Sequence, residues 1–96
     1  MAVVRITRFH VDPADAAEML TRRAALIAAV RDAHPGLTEA RLAKLDDETW
    51  IDMWHWESQS SLEAALAGAP GLPSAAPAFA LVRDASAELA EIVDER

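Results

Sequence analysis

Thr49-Trp50-Ile51-Asp52-Met53-Trp54-His55-Trp56-Glu57-Ser58 holds all three tryptophans of the chain within seven positions. In an extended strand successive side chains point to opposite faces. Trp50, Asp52, Trp54 and Trp56 then share one face, and Ile51, Met53 and His55 the other. A strand wetted on one side alternates apolar with polar residues, whereas this one is largely apolar on both. Each face of its sheet therefore needs a cover, and the aromatic face, with one carboxylate among the rings, is where a site is expected.

The sequence around this strand reads as a short αβ chain. Val3 to Val11 is rich in β-branched and aromatic residues and is expected to be strand one. Asp12-Pro13 starts a helix, with Asp as N-cap and Pro at the first helical position. Met19, Leu20, Arg23, Leu26, Ile27 and Val30 recur at helical spacing and give a largely apolar stripe through about Ala33. His34-Pro35-Gly36 ends it, because the residue before proline avoids helical angles and glycine accepts a left-handed conformation. Leu37 to Leu45 is strand two, and Asp46-Asp47-Glu48 a polar turn into the tryptophan strand. Ser60-Ser61-Leu62-Glu63 reads as a capping box for a helix ending at Gly68, with another short helix from about Ser74 to Arg83. Glu88 to Asp94 is the expected last strand.

The order β-α-β-β-α-β, with its second helical region split, predicts an α+β ferredoxin-like fold with an antiparallel sheet and one domain over residues 1–96. In that architecture the helices cover one sheet face. Ile51 and Met53 then lie on a bare apolar face, for which pairing with a second copy about a two-fold axis is the simplest cover. A homodimer through the sheet face is expected.

Composition excludes several functions. The formal charge of −7, with no basic cluster beyond Arg22-Arg23, argues against nucleic acid, where binding rests on phosphate neutralisation. There is no cysteine, hence no disulfide, thiolate chemistry or Cys-based metal site. Residues 64–82 carry no charge, yet Pro70, Pro73, Pro77, Gly68 and Gly71 interrupt them, so two short helical pieces are expected and no membrane span. No charged-then-apolar signal pattern opens the sequence, and the cytoplasm is the expected location. His10, His34 and His55 form no metal-binding spacing, and Asp46-Asp47-Glu48 lacks the pattern of a calcium loop, so no metal site is expected. His34 suits a helix C-terminus, His55 the dimer face, and His10 an exposed strand end.

His34-Pro35-Gly36-Leu37, Trp56-Glu57-Ser58, Ser61-Leu62-Glu63-Ala64-Ala65-Leu66 and the proline-marked second helical piece, in this order of elements, resemble the antibiotic biosynthesis monooxygenase superfamily of dimeric α/β barrels. The resemblance spans nearly the whole chain. In its cofactor-free oxygenases, which act on aromatic polyketides, an asparagine, a tryptophan four positions on and a serine two further match Asp52, Trp56 and Ser58, with Asp in place of Asn. The tyrosine of that pocket aligns with Leu62. In the haem-degrading branch an asparagine, a tryptophan and a histidine align with Thr7, Ala65 and approximately Ala76, so haem degradation is not expected.

The resemblance implies a cofactor-independent monooxygenase of a planar phenolic or quinol-type metabolite. A carboxylate among rings is desolvated, which would raise its pKa toward a value useful in a base. In that reading Asp52 takes the proton, the Trp56 indole N–H donates to the oxygen-bearing intermediate, and Thr7, Phe9, Trp54, Leu62 and Phe79 form the walls for a small aromatic ligand. No cofactor is expected. The alternative is a non-catalytic binding or structural dimer, with the tryptophans as core and Asp52 in an ion pair with Arg5, Arg8 or Arg41.

Overall fold

The computed structural model describes residues 1–96. Four strands, β1 (Val3–His10), β2 (Leu37–Lys44), β3 (Thr49–Trp56) and β4 (Arg83–Glu91), form one antiparallel sheet in the order β2-β3-β1-β4. Helix α1 (Ala16–Ala33) joins β1 to β2, and α2 (Gln59–Gly68) with α3 (Ala75–Phe79) joins β3 to β4. This is the α+β ferredoxin-like arrangement expected from the element order.

Local chemistry sets most boundaries. The Asp12 side chain accepts from the Ala14 N–H at 2.9 Å, and a single 3₁₀ turn over Pro13–Asp15 leads into α1. At the far end the His34 N–H closes on the Val30 carbonyl at 2.7 Å. The Asp46 carboxylate accepts from the Glu48 and Thr49 backbone N–H groups at 2.9 and 2.8 Å and fixes the β2–β3 turn. Those bonds, the one from Glu48 first, hold the Asp46 carboxyl below the usual carboxylate range.

Register puts the period-two reading of β3 on firm ground. Trp56, Trp54, Asp52 and Trp50 lie opposite Val3, Arg5, Thr7 and Phe9 of β1. The helices cover this face. Val3, Leu26, Val30, Leu37, Trp56 and Leu62 are the larger members of one buried cluster, and Phe9, Val11, Met19 and Trp50 form a second. On the reverse face Val4, Ile6, Ile51 and Met53 are only partly covered.

Several expectations are corrected. Ser58, rather than Ser60, caps α2: its hydroxyl accepts from the Ser61 N–H at 3.1 Å, and the helix starts two residues earlier than the capping-box reading. Leu20 of the supposed apolar stripe is 45% exposed, because only Met19, Leu26 and Val30 of α1 turn fully inward. The third helical piece stops at Phe79 and β4 spans Arg83–Glu91, so the last strand begins earlier and ends sooner than the hydrophobic alternation of residues 88–94 suggests. Asp84, in the left-handed region at φ 53°, lies at that entry and sits 3.3 Å from His10 Nδ1. Gly36 does not adopt a left-handed conformation, since no glycine has a positive φ. It is glycine because a Cβ there would lie 2.6 Å from Ser61 Cβ. That approach lets the Gly36 carbonyl accept from the Glu57 N–H at 2.9 Å, tying the turn before β2 to the entry of α2.

No helix is long and apolar enough to cross a membrane. The uncharged stretch folds as α2, a 3₁₀ turn over Ala69–Gly71 and α3, the two short pieces its prolines and glycines predict.

Candidate active site

A cavity of about 530 Å³ lies between the covered sheet face and the helices, within the range of pockets that hold small ligands. Every residue proposed from sequence as a site residue lines it. The sheet contributes Thr7, Phe9, Asp52, Trp54 and Trp56, and the helical layer contributes Leu62 and Phe79. Period two on β1 and β3 brings the first five together; Leu62 faces inward from α2 and is 2% exposed. Phe79 is 59% exposed and stands at the rim. Trp50 shares the face but not the cavity, being packed with Phe9, Val11 and Met19. Apart from Thr7, Ser86 and three charged side chains, the wall is apolar.

The charged residues are Asp52, Arg23 and Arg5. Asp52 is 8% exposed and forms a bidentate ion pair with Arg23: Nε donates to Oδ2 and Nη2 to Oδ1, both at 2.9 Å. Paired planar groups in this geometry make strong, directional charge-assisted bonds. The ion pair is therefore with Arg23 of α1, not with Arg5, Arg8 or Arg41 of the neighbouring strands. Helical spacing alone places Arg23 in an apolar stripe. A lone charge in such a stripe and a lone carboxylate on a strand face each call for a partner, but the sequence does not name one for the other.

Arg22, the preceding residue, works on the outside. Its Nε pairs with Glu18 at 2.9 Å and its Nη1 donates to the Pro77 carbonyl at 3.0 Å, holding α3 and its rim residue Phe79 against α1.

The Trp56 ring is 2% exposed, and its Nε1 has no hydrogen-bond partner and less than 1 Å² of accessible surface. A buried unsatisfied donor costs free energy. The ring lines the cavity, yet its N–H is shielded from a water-sized group, so donation to a bound molecule needs the ring or its neighbours to shift. Ser58, which matches a family serine in spacing, is engaged in capping α2. None of the three histidines lines the cavity, so its wall offers no imidazole to a porphyrin iron. His34 ends α1, and His55 is on the bare sheet face, as expected from sequence.

The family model for antibiotic biosynthesis monooxygenases matches residues 2–70, and the chain belongs to that family. Among solved structures, a mutant form of SnoaB, a cofactor-independent oxygenase from Streptomyces nogalater, is 24% identical and superposes with a TM-score of 0.78 over 98% of this chain and 95% of its own. A Caulobacter crescentus CB15 protein described as a candidate antibiotic biosynthesis monooxygenase is 20% identical, with a TM-score of 0.75 over 97% and 91% of the two chains. A mutant form of MhuD, which carries two manganese protoporphyrin IX molecules per active site, is 27% identical, with a TM-score of 0.65 over 98% and 97%. No curated protein sequence matches this one.

Removing one partner of a mostly desolvated ion pair leaves the other charge uncompensated, at a cost of about 3 kcal/mol. Asp52→Ala and Arg23→Ala should each lower the urea midpoint accordingly. Arg23→Met combined with Asp52→Leu, which removes both charges, should lie closer to the parent than either single variant. Additive losses would show that the pair contributes nothing as a unit.

Proposed function

We propose that this protein is a cofactor-independent monooxygenase of a planar phenolic or quinol-type metabolite, with Asp52 as base. The supporting observation is a ligand-sized cavity whose aromatic wall surrounds a single carboxylate, in a chain of the monooxygenase family and similar in fold to a cofactor-independent oxygenase. Trp54, Phe9 and Phe79 offer ring surfaces for a flat substrate.

The chemistry follows from that placement. Asp52 takes a proton from a ring CH₂ activated by a neighbouring carbonyl, as in an anthrone, leaving an electron-rich enolate. Arg23 stays beside the carboxylate and orients it. The enolate carbon gives an electron pair to O₂ and forms a C–O bond. Return of the proton gives a hydroperoxide, and loss of water leaves a carbonyl where the CH₂ was. One O₂ is consumed and one water released, so the substrate itself is the reductant. Trp56 donates to the peroxide oxygen once the bound ring has displaced its cover.

One observation favours a second reading, a binding module without turnover. Both Asp52 oxygens are already engaged by Arg23; by the family resemblance, Leu62 also takes the place of the oxygenases' pocket tyrosine. Oxygen uptake with an anthrone in chelator-treated buffer distinguishes the two. The oxygenase reading predicts uptake that falls roughly 100-fold in Asp52→Ala, a typical contribution of a positioned base, and by less in Trp56→Phe. Full activity in both variants would remove these assignments. A ligand-induced shift in tryptophan emission with no oxygen uptake would establish binding alone.

The assembly we propose is a cytoplasmic homodimer built through the bare sheet face, where Val4, Ile6, Ile51 and Met53 form a partly covered apolar strip. Isologous pairing of two such faces removes this surface from water. Sedimentation should give twice the 10.4 kDa chain mass, and Met53→Asp should give the single chain. A parent that sediments as one chain would rule out the pairing.

A further inference from the structure

Charge in the cavity does not balance. Its wall holds two guanidinium groups, Arg5 and Arg23, and one carboxylate, Asp52. Arg23 and Asp52 neutralise each other in the bidentate pair. Arg5 has no ion-pair partner and no side-chain hydrogen bond, although it lies between Trp54 of β3 and Leu89 of β4 on the covered sheet face. The acidic residues nearest to Arg5 in register on that face are Asp52, opposite Thr7 and bonded to Arg23, and Glu91, opposite Val3; neither bonds Arg5. Five donors in a fixed fork, partly withdrawn from water among apolar side chains, have no partner within the protein. Elsewhere on this face the sheet uses Val3, Phe9 and Trp56 to fill its core. An arginine at this register position gains the packing little and leaves a net positive site.

We propose that Arg5 is a specificity-determining residue that recognises an anionic group on the ligand, a carboxylate or an ionised enol or phenol, while the apolar walls take its planar ring system. The inference rests on the reading of this cavity as the ligand site and extends it by naming the ligand class: an aromatic acid rather than a neutral polycycle. The Asp52–Arg23 pair adds no net charge, so the acidic substituent is directed to the Arg5 end of the cavity. Charge-assisted recognition of this kind discriminates because the neutral isostere leaves the guanidinium desolvated and unpaired.

The test uses anthraquinone-2-carboxylate and its neutral 2-carboxamide, which are already oxidised and report binding without turnover. Titration is followed by tryptophan emission. The parent should bind the carboxylate at least about 10-fold more tightly than the carboxamide, the preference falling with added salt, as expected of a charge-assisted contact at a partly exposed site. Arg5→Gln should abolish the preference while retaining the carboxamide affinity, and Arg5→Lys should restore part of it. Because Arg5 has no partner, the melting temperature should stay near that of the parent in both variants. Equal affinities in the parent, or a preference that survives Arg5→Gln, would overturn the assignment. Binding of neither compound would overturn it together with the ligand-site reading. Anion preference without oxygen uptake from an anthrone would remove the oxygenase reading alone, and uptake without anion preference would remove this one alone.

Discussion

The bidentate contact between Arg23 and Asp52 ties the helical layer to the middle of the sheet at a point where neither side is apolar. Helix α1 reaches across β3 with Met19, Leu26 and Val30 turned inward. Between Met19 and Leu26 a core position is given to a guanidinium, and opposite it the tryptophan face gives one to a carboxylate. Such an arrangement is seldom the most stable option, because two apolar side chains would avoid the desolvation of both ions. Its value is directional: it fixes the carboxylate within an otherwise oily wall and sets the rotation of α1 against the sheet.

That constraint organises the rest of the cavity. With Asp52 compensated, the three charges of the wall reduce to Arg5, and the aromatic side chains around it become a surface for flat molecules. Trp56 belongs to both worlds. It is among the most buried residues of the core, and its N–H is left without an acceptor, so packing and polar satisfaction conflict at this ring. Trp50, outside the cavity, has a buried N–H without an acceptor as well, so the conflict goes with packing indoles on this face of β3 and does not by itself mark the site.

The sequence is legible where one local signal decides. Alternation along residues 49–56 places Asp52, Trp54 and Trp56 on one face, and the Asp12-Pro13 start of the first helix is chemically explicit. It is illegible where a contact joins distant segments. Arg23 and Asp52 are far apart in sequence, and no periodicity in either element names the other. Gly36 reads as a turn residue, yet its role is to make room for Ser61, a requirement visible only once α2 is packed beside it. The entry to β4 escapes a sequence reading because hydrophobic alternation begins late in a strand exposed along its whole length. In an exposed strand, backbone pairing to β1, rather than burial, defines the ends.

A ligand in the cavity touches some tryptophans and not others, and the three indole N–H resonances in a two-dimensional ¹H–¹⁵N spectrum separate them. On titration with a planar aromatic acid, the Trp54 and Trp56 signals should move, the latter most as its shielded N–H acquires an acceptor, while Trp50 stays in place behind Phe9 and Met19. Movement of Trp50 alone, or three stationary signals at saturating ligand, would be incompatible with a ligand seated in this cavity.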